Sequence, residues 1–134
     1  MSATQQGIVM LIGRLLLATI FLMSGLHKIA DPAGTQQFMS AMGMPATGLF
    51  LIGAIAFELA GAVSLILGYW TRVGAALLIV FMIPATLIFH TNFADQVQFI
   101  MFLKNLAMTG GLLYVLALGA GPLSLDGRAA AAHP

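Results

Sequence analysis

The sequence predicts an all-α integral membrane protein, a bundle of four transmembrane helices with a short interfacial helix between the first and the second. Three observations predict it. Hydrophobic residues make up 60% of the chain and charged residues 7%, with a mean hydropathy of +1.03, a balance foreign to ordinary soluble domains. Gly, Pro and polar clusters divide the chain into apolar runs, each able to supply the roughly 20 residues that a bilayer crossing needs. None of the runs alternates as a strand would, and backbone in lipid must satisfy its own hydrogen bonds, so helices are favoured over a barrel. At 134 residues the crossings leave only short connections, and residues 1–134 are expected to form a single domain.

The first crossing runs from Ile8 to Ile29. The preceding MSATQQG carries no positive cluster, and the apolar run contains Arg14 and no clear small-residue cleavage site, so it reads as a retained helix and not as a signal peptide. DPAGTQQFMSAMGMP follows. It opens with a turn signal and sets Phe38, Met39 and Met42 on one helical face, the pattern of a short interfacial helix. Met39, Met42 and Met44 are soft ligands of the kind Cu(I) takes. No His or Cys reinforces their spacing, and methionine commonly fills such faces, so packing is the preferred account.

The second crossing runs from Ala46 to Trp70 and the third from Arg72 to His90, linked so tightly through GYWTR that the two must be antiparallel neighbours. Tyr69 and Trp70 suit the membrane interface. Pro84, with no N–H and a clashing ring, predicts a kink or local unwinding near Phe81 to Met82. The polar link HTNFADQVQ leads into the fourth crossing, Val97 to Leu118. In GAGPLSLDGRAAAAHP, Gly and Pro stop that helix, and the Ala-rich remainder from about residue 120 is expected to be a mobile tail with His133 incidental.

Charge and cysteine content exclude whole classes of function. A net charge of +1 gives no basic field for nucleic acid. With no cysteine, the chain itself can hold no disulfide, thiol relay or thiolate-bound iron–sulfur cluster, so a redox role needs an external cofactor. HExxH, P-loop and GxGxxG motifs are absent, and Ser24 and Ser64 have no assembled base partner. An even number of crossings puts both termini on one side with GYWTR. Arg72 and Arg128 lie on that side and Lys28 on the other, so the positive-inside rule predicts cytoplasmic termini.

Every crossing also carries a polar residue that lipid would reject: Arg14 in the first, Glu58 in the second, His90 closing the third, Lys104 and Asn105 in the fourth. Glu58 shares a stripe with Ala54, Gly61 and Gly68; Arg14 with Ala18, Phe21, Gly25 and Lys28; Lys104 with Ala107, Met108 and Gly111. At about 1.5 Å per residue from the side where the first helix ends, Arg14 lies roughly 20 Å deep, Glu58 roughly 17 Å and Lys104 roughly 10 Å. A lone carboxylate there would lose hydration that hydrocarbon cannot replace, and Arg14 and Lys104 are expected to keep it charged. Two cations against one anion leave a surplus that an anionic group or an electron-rich oxygen would balance.

These residues admit two accounts. Buried ion pairs can fix helix register in a dry core. Alternatively, Glu58, Lys104 and Asn105 line a cavity in which Lys104 and Asn105 donate to a carbonyl oxygen and Glu58 exchanges protons, a description that a quinone head group fits. His27 and His90 close the first and third helices near one membrane face. Haem ligation by them is disfavoured, since helix ends cover a macrocycle poorly and no carboxylate is placed to orient the imidazoles. A place for His90 at a cavity mouth is preferred.

An Arg in helix one, then SGLHKIADP, Glu58 in FELAGAVSLILG, WTR, His90, FLKN and a closing SLDG together resemble the DoxX family of small four-helix bacterial membrane proteins. The resemblance covers nearly the whole chain, from about Arg14 to Gly127, and its specificity lies in the order and spacing of the pieces. By motif it carries over Arg14, Lys28, Glu58, Arg72, His90, Lys104 and Asn105. Where many members follow the His with a tryptophan or a second histidine, this chain has HTNF, and the resemblance does not extend to that pair. Because relatives include the membrane part of a thiosulfate:quinone oxidoreductase, it implies quinone-linked redox chemistry in the bacterial inner membrane, with the reaction of this member open.

The expected function is therefore a quinone-associated subunit of a membrane oxidoreductase system, with Glu58 and Lys104 as catalytic groups and Arg14, Lys28, His90 and Asn105 binding the ligand. Electrons would come from a separate redox partner subunit or a diffusible reductant. The alternatives are a non-catalytic scaffold that binds lipid or protein, and a small carrier for an anionic or aromatic solute. A homo-oligomer is expected on the strength of the small-residue stripes.

Overall fold

The computed structural model describes residues 1–133, and the regular elements among them are all helices. The first helix, α1 (Ala3–Ala30), starts ahead of the predicted boundary because Ser2 and Gln5 form a capping box that satisfies donors at its N-terminus. Asp31 caps the short α2 (Pro32–Ala41), in which Pro32 occupies the first turn. Helix α3 (Thr47–Leu67) ends at Gly68, which adopts the left-handed conformation that glycine permits. Helix α4 (Thr71–Phe89) runs without interruption through Pro84, so no local unwinding breaks it. Asp95 caps α5 (Gln96–Leu118), and Ser124 caps α6 (Leu125–Ala132).

Helices α1, α3, α4 and α5 are each long and apolar enough to cross a membrane. They pack in sequence, α1 on α3, α3 on α4 and α4 on α5, with α5 touching α1 only lightly. The core formed by Ala18, Phe21, Ala62, Leu65, Ala75, Leu78, Met82 and Leu112 lies along that order. Small residues set the spacing. A side-chain carbon at Gly25 would run into Leu59, and one at Gly61 into Leu78, so both glycines are what lets α3 lie close against α1 and α4.

The C-terminal segment meets the α3–α4 turn at one end of the bundle, and there the expected mobile tail is instead an ordered helix. The reason is Asp126. Its carboxylate accepts from the Trp70 and Thr71 backbone N–H groups, both at 2.9 Å, and from the Thr71 hydroxyl at 2.7 Å. Trp70 holds φ 47° and offers α4 no side-chain cap, so Asp126 supplies from α6 the cap that α4 lacks. The Asp126 N–H in turn donates to the Gly68 carbonyl at 2.8 Å.

Arg14 serves the same end. Buried at 2% exposure, it donates to the carbonyl of Leu65 at 2.7 Å and to that of Leu123 at 2.6 Å. It thereby ties the last turn of α3 to the segment leading into α6.

Burial pushes the Asp126 carboxyl upward, but the hydrogen bonds from Thr71 and Trp70 and the positive charge of Arg14 together outweigh it and hold Asp126 below the ordinary carboxylate range. A depressed folded value means that the docking energy is fully present above the ordinary range and is lost as pH falls through the folded value. Trp70 is the single tryptophan and therefore reports on this joint. Its emission is expected to stay constant from neutral pH down to the ordinary carboxylate range and to change below it. Asp126→Ala should show the changed emission at neutral pH and lose about 1–2 kcal/mol of stability, the usual cost of a lost cap, measured by thermal unfolding in detergent.

Candidate functional site

The opposite end of the bundle holds a cavity of about 740 Å³ bounded by all of the first five helices. Helix α2 lies over it, with Met39 buried against the bundle and Phe38 stacked on Phe89 at the end of α4, ring centroids 5.2 Å apart. Its walls are largely aromatic and aliphatic, including Phe21, Phe50, Phe57 and Phe81. Its polar groups are few: Ser24, His27, Lys28, Asp31, Thr35, Glu58, His90 and Asn105. Apolar walls with a few convergent polar groups are the usual make-up of a small-molecule site.

Glu58 sits at the centre. It is 2% exposed, and its Oε2 forms an ion pair with Lys28 Nζ at 2.8 Å. Lys28 also donates to the Ser24 hydroxyl, one turn earlier on α1, at 2.7 Å, and its ammonium lies 6.0 Å from the centre of the Phe81 ring. Lys28 is therefore the partner of Glu58, where Arg14 and Lys104 were expected.

Side-chain direction explains the correction. In a helix every Cα–Cβ bond tilts toward the N-terminus. Arg14 on α1 thus leans toward the chain ends, and Glu58 on the antiparallel α3 leans toward the cavity, so the two diverge. Lys28, near the C-terminal end of α1, leans back into the bundle and meets Glu58. Matching depths by Cα position misses this, because two long side chains add several ångströms in opposite directions.

Lys104 is corrected for a different reason. Met101, Asn105, Met108 and Leu112 recur at helical spacing, and of these Leu112 is fully buried while the other three line the cavity. That stripe is the inward face of α5. Lys104 lies one residue off it, exposed, with no hydrogen bond or ion pair among the described residues. The two-cation surplus around Glu58 disappears with it.

Asn105 is at the cavity, as expected, but its amide is already engaged. Thr86 donates its hydroxyl to the Met82 carbonyl at 2.7 Å, and Asn105 Nδ2 donates to the same Thr86 oxygen at 2.9 Å. Thr86, buried and outside the cavity lining, was not singled out from sequence; a threonine inside an apolar helix usually bonds back to its own backbone. His90 lines the cavity just past the end of α4, and its buried Nδ1 has no hydrogen-bond partner among the described residues. Burial holds its imidazole below the ordinary histidine value, so it is neutral at neutral pH. His27 lines the same cavity but is exposed.

The pair can be dissected by a double-mutant cycle. Lys28→Met or Glu58→Gln alone is expected to cost about 3 kcal/mol, because each leaves a buried partner uncompensated. The double variant should recover most of that loss. Thermal unfolding in detergent measures all three, and Lys104→Met should lie within about 0.5 kcal/mol of the parent as a substitution that removes no buried contact.

The DoxX family model matches residues 9–91. Inner membrane protein YqjF of Escherichia coli (strain K12) is 39% identical over 116 residues, covering 87% of this chain and 88% of that protein. Inner membrane protein YphA of the same strain is 32% identical over 126 residues, covering 90% of each. No solved structure matches. With four helices able to span a bilayer and relatives of this extent, the chain is a multi-pass inner-membrane protein and belongs to the DoxX family.

Proposed function

We propose that this protein is a quinone-associated subunit of a membrane oxidoreductase system. The observation that carries the reading is the cavity beneath α2, with room for a substituted aromatic ring, hydrophobic walls and a buried Lys28–Glu58 pair at its centre. Glu58 exchanges protons with the bound ring, a role suited to a carboxylate with one oxygen held by Lys28 and the other without a hydrogen bond among the described residues. Lys28, and not Lys104, is the cation that pairs with Glu58 at this site. Ile20 of α1 and Met101 of α5 line the cavity and are also exposed on the bundle surface. An apolar tail can leave there, at the seam where α1 and α5 touch only lightly.

Among its carboxylates and ammonium groups, the cavity lining has one Lys against one Glu and one Asp. An anionic solute gains nothing from such a lining, which removes the argument for an anion carrier. Since the chain has no cysteine and no nucleotide-binding motif, electrons come from a separate redox subunit or a diffusible reductant. With Lys28 paired inside the bundle, Arg72 and Arg128 are the cations of the end that holds the termini. The positive-inside rule then orients that end to the cytoplasm and the cavity to the opposite face.

A second reading, a membrane scaffold that binds another subunit, is favoured by α5. Its outward face carries Lys104 with exposed Leu103, Leu106, Leu113 and Tyr114, and a lipid-exposed cation is costly unless something meets it. A second copy of this chain or a redox partner would do so.

Native mass spectrometry of the gently extracted protein tests both readings. The expected spectrum contains a copurified quinone that is lost from the Lys28→Met/Glu58→Gln variant. A protein with no bound quinone that also fails to take up added short-chain ubiquinone or ubiquinol defeats the first reading. An additional polypeptide or a second copy whose retention is unaffected by that variant supports the second.

A further inference from the structure

We infer that the cavity selects the reduced, dihydroxy form of its ligand over the dione, because the groups it leaves free include acceptors that only an O–H can satisfy. The inference rests on the quinone-site reading above and deepens it. Sequence reasoning expected Lys104 and Asn105 to donate to a carbonyl oxygen. The geometry reverses that expectation.

The Thr86 hydroxyl spends its one proton on the Met82 carbonyl at 2.7 Å. Toward Asn105 it can therefore act only as an acceptor. This settles which way the Asn105 amide faces: Nδ2 points to Thr86 at 2.9 Å, and the carbonyl Oδ1 is turned away from it. An asparagine orientation is normally ambiguous and must be assigned from its hydrogen-bond network. Here a hydroxyl with no second proton makes the assignment. Asn105 thus offers the cavity an acceptor that Thr86 keeps in place.

Two further groups agree. Glu58 has Oε2 paired with Lys28 and, among the described residues, no hydrogen bond at its other carboxylate oxygen, and a carboxylate accepts only. Pro84 has no N–H for the carbonyl of Val80, and both residues line the cavity, so this carbonyl lacks its usual helical donor. On the donor side, Lys104 faces outward and Lys28 serves both Glu58 and Ser24; the Ser24 hydroxyl proton and the one N–H of neutral His90 remain, and a hydroquinone oxygen accepts from these as a dione oxygen does. A dione brings only acceptors to such a site, whereas a hydroquinone brings two O–H donors. A buried acceptor left without a donor costs free energy, and that cost falls on the dione.

The test uses the full chain in lipid nanodiscs under anaerobic conditions, with a short-chain ubiquinol and the matching ubiquinone as probes, read by calorimetry. The ubiquinol is expected to bind at least about fivefold more tightly, the order expected for one well-made hydrogen bond. Thr86→Val removes the group that orients Asn105 and should bring the ratio of the two affinities close to one, with Trp70 emission unchanged as the sign of a folded protein. Should that variant fail to accumulate, Asn105→Leu is expected to weaken the ubiquinol while leaving the ubiquinone as it was. Equal binding or a preference for ubiquinone in the parent, or an unaltered ratio in the folded variant, overturns the inference and leaves a quinone site standing. Binding of neither probe instead overturns the site itself.

Discussion

Burying a carboxylate between membrane helices is tolerable only if a cation reaches it, and the cavity end of this protein is organised around that requirement. Lys28 turns back from the end of α1 to meet Glu58 on α3 at 2.8 Å. The contact needs α1 and α3 close together, which Gly25 allows by leaving room for Leu59. It also needs both side chains to lean toward each other, which antiparallel helices provide only when the cation lies nearer the C-terminal end of its own helix. The cavity follows from the same geometry. Lys28 keeps a 16% exposed side chain while Glu58 has 3%, so the pair forms a boundary between packed core and open space, with the anion on the packed side.

The two ends of the bundle use polar groups differently. At the end that holds the termini, both oxygens of Asp126 are occupied by Trp70 and Thr71, and both terminal nitrogens of Arg14 are occupied by the carbonyls of Leu65 and Leu123. That is a joint: among the described residues Arg14 Nε is left without a partner there, and Arg14 does not line the cavity. At the cavity end, among the described residues, His90 Nδ1 is buried without a partner, and neither the second oxygen of Glu58 nor the side-chain carbonyl of Asn105 is used as an acceptor. Unsatisfied polar groups beside an open volume are what a ligand site requires, and a purely structural ion pair does not need them. Arg14, which motif and depth both placed in the site, therefore belongs to the architecture.

Hydropathy made the fold legible. Four runs of membrane-spanning length, a five-residue link and the interfacial pattern of Phe38 and Met39 fix the helices and their antiparallel order with boundaries close to those observed. The constellation was legible only in outline. Glu58 reads as inward because Ala54 and Gly61 share its face, and the structure agrees. The choice between Lys104 and Asn105 turns on a rotation of about 100° around one helix axis. In a helix as lightly buried as α5, with apolar residues all round, sequence gives little to fix that rotation. Docking of the tail was hidden for another reason. An aspartate in SLDG reads as a helix start, and its partners, two backbone N–H groups at a turn far away in sequence, leave no mark on composition.

The kind of ligand a site accepts follows from its charge balance and then from its free donors and acceptors, in that order of energy. Placing Arg14 and Lys104 beside Glu58 implied a cationic site that called for an anion or an electron-rich oxygen. With Arg14 tied to backbone carbonyls at the far end and Lys104 turned outward, the central charges reduce to one ion pair. A neutral ligand then suffers no electrostatic penalty, and discrimination passes to hydrogen bonding. Thr86 carries that step without touching the cavity, because its single proton is committed to Met82 and so decides which end of the Asn105 amide a ligand meets.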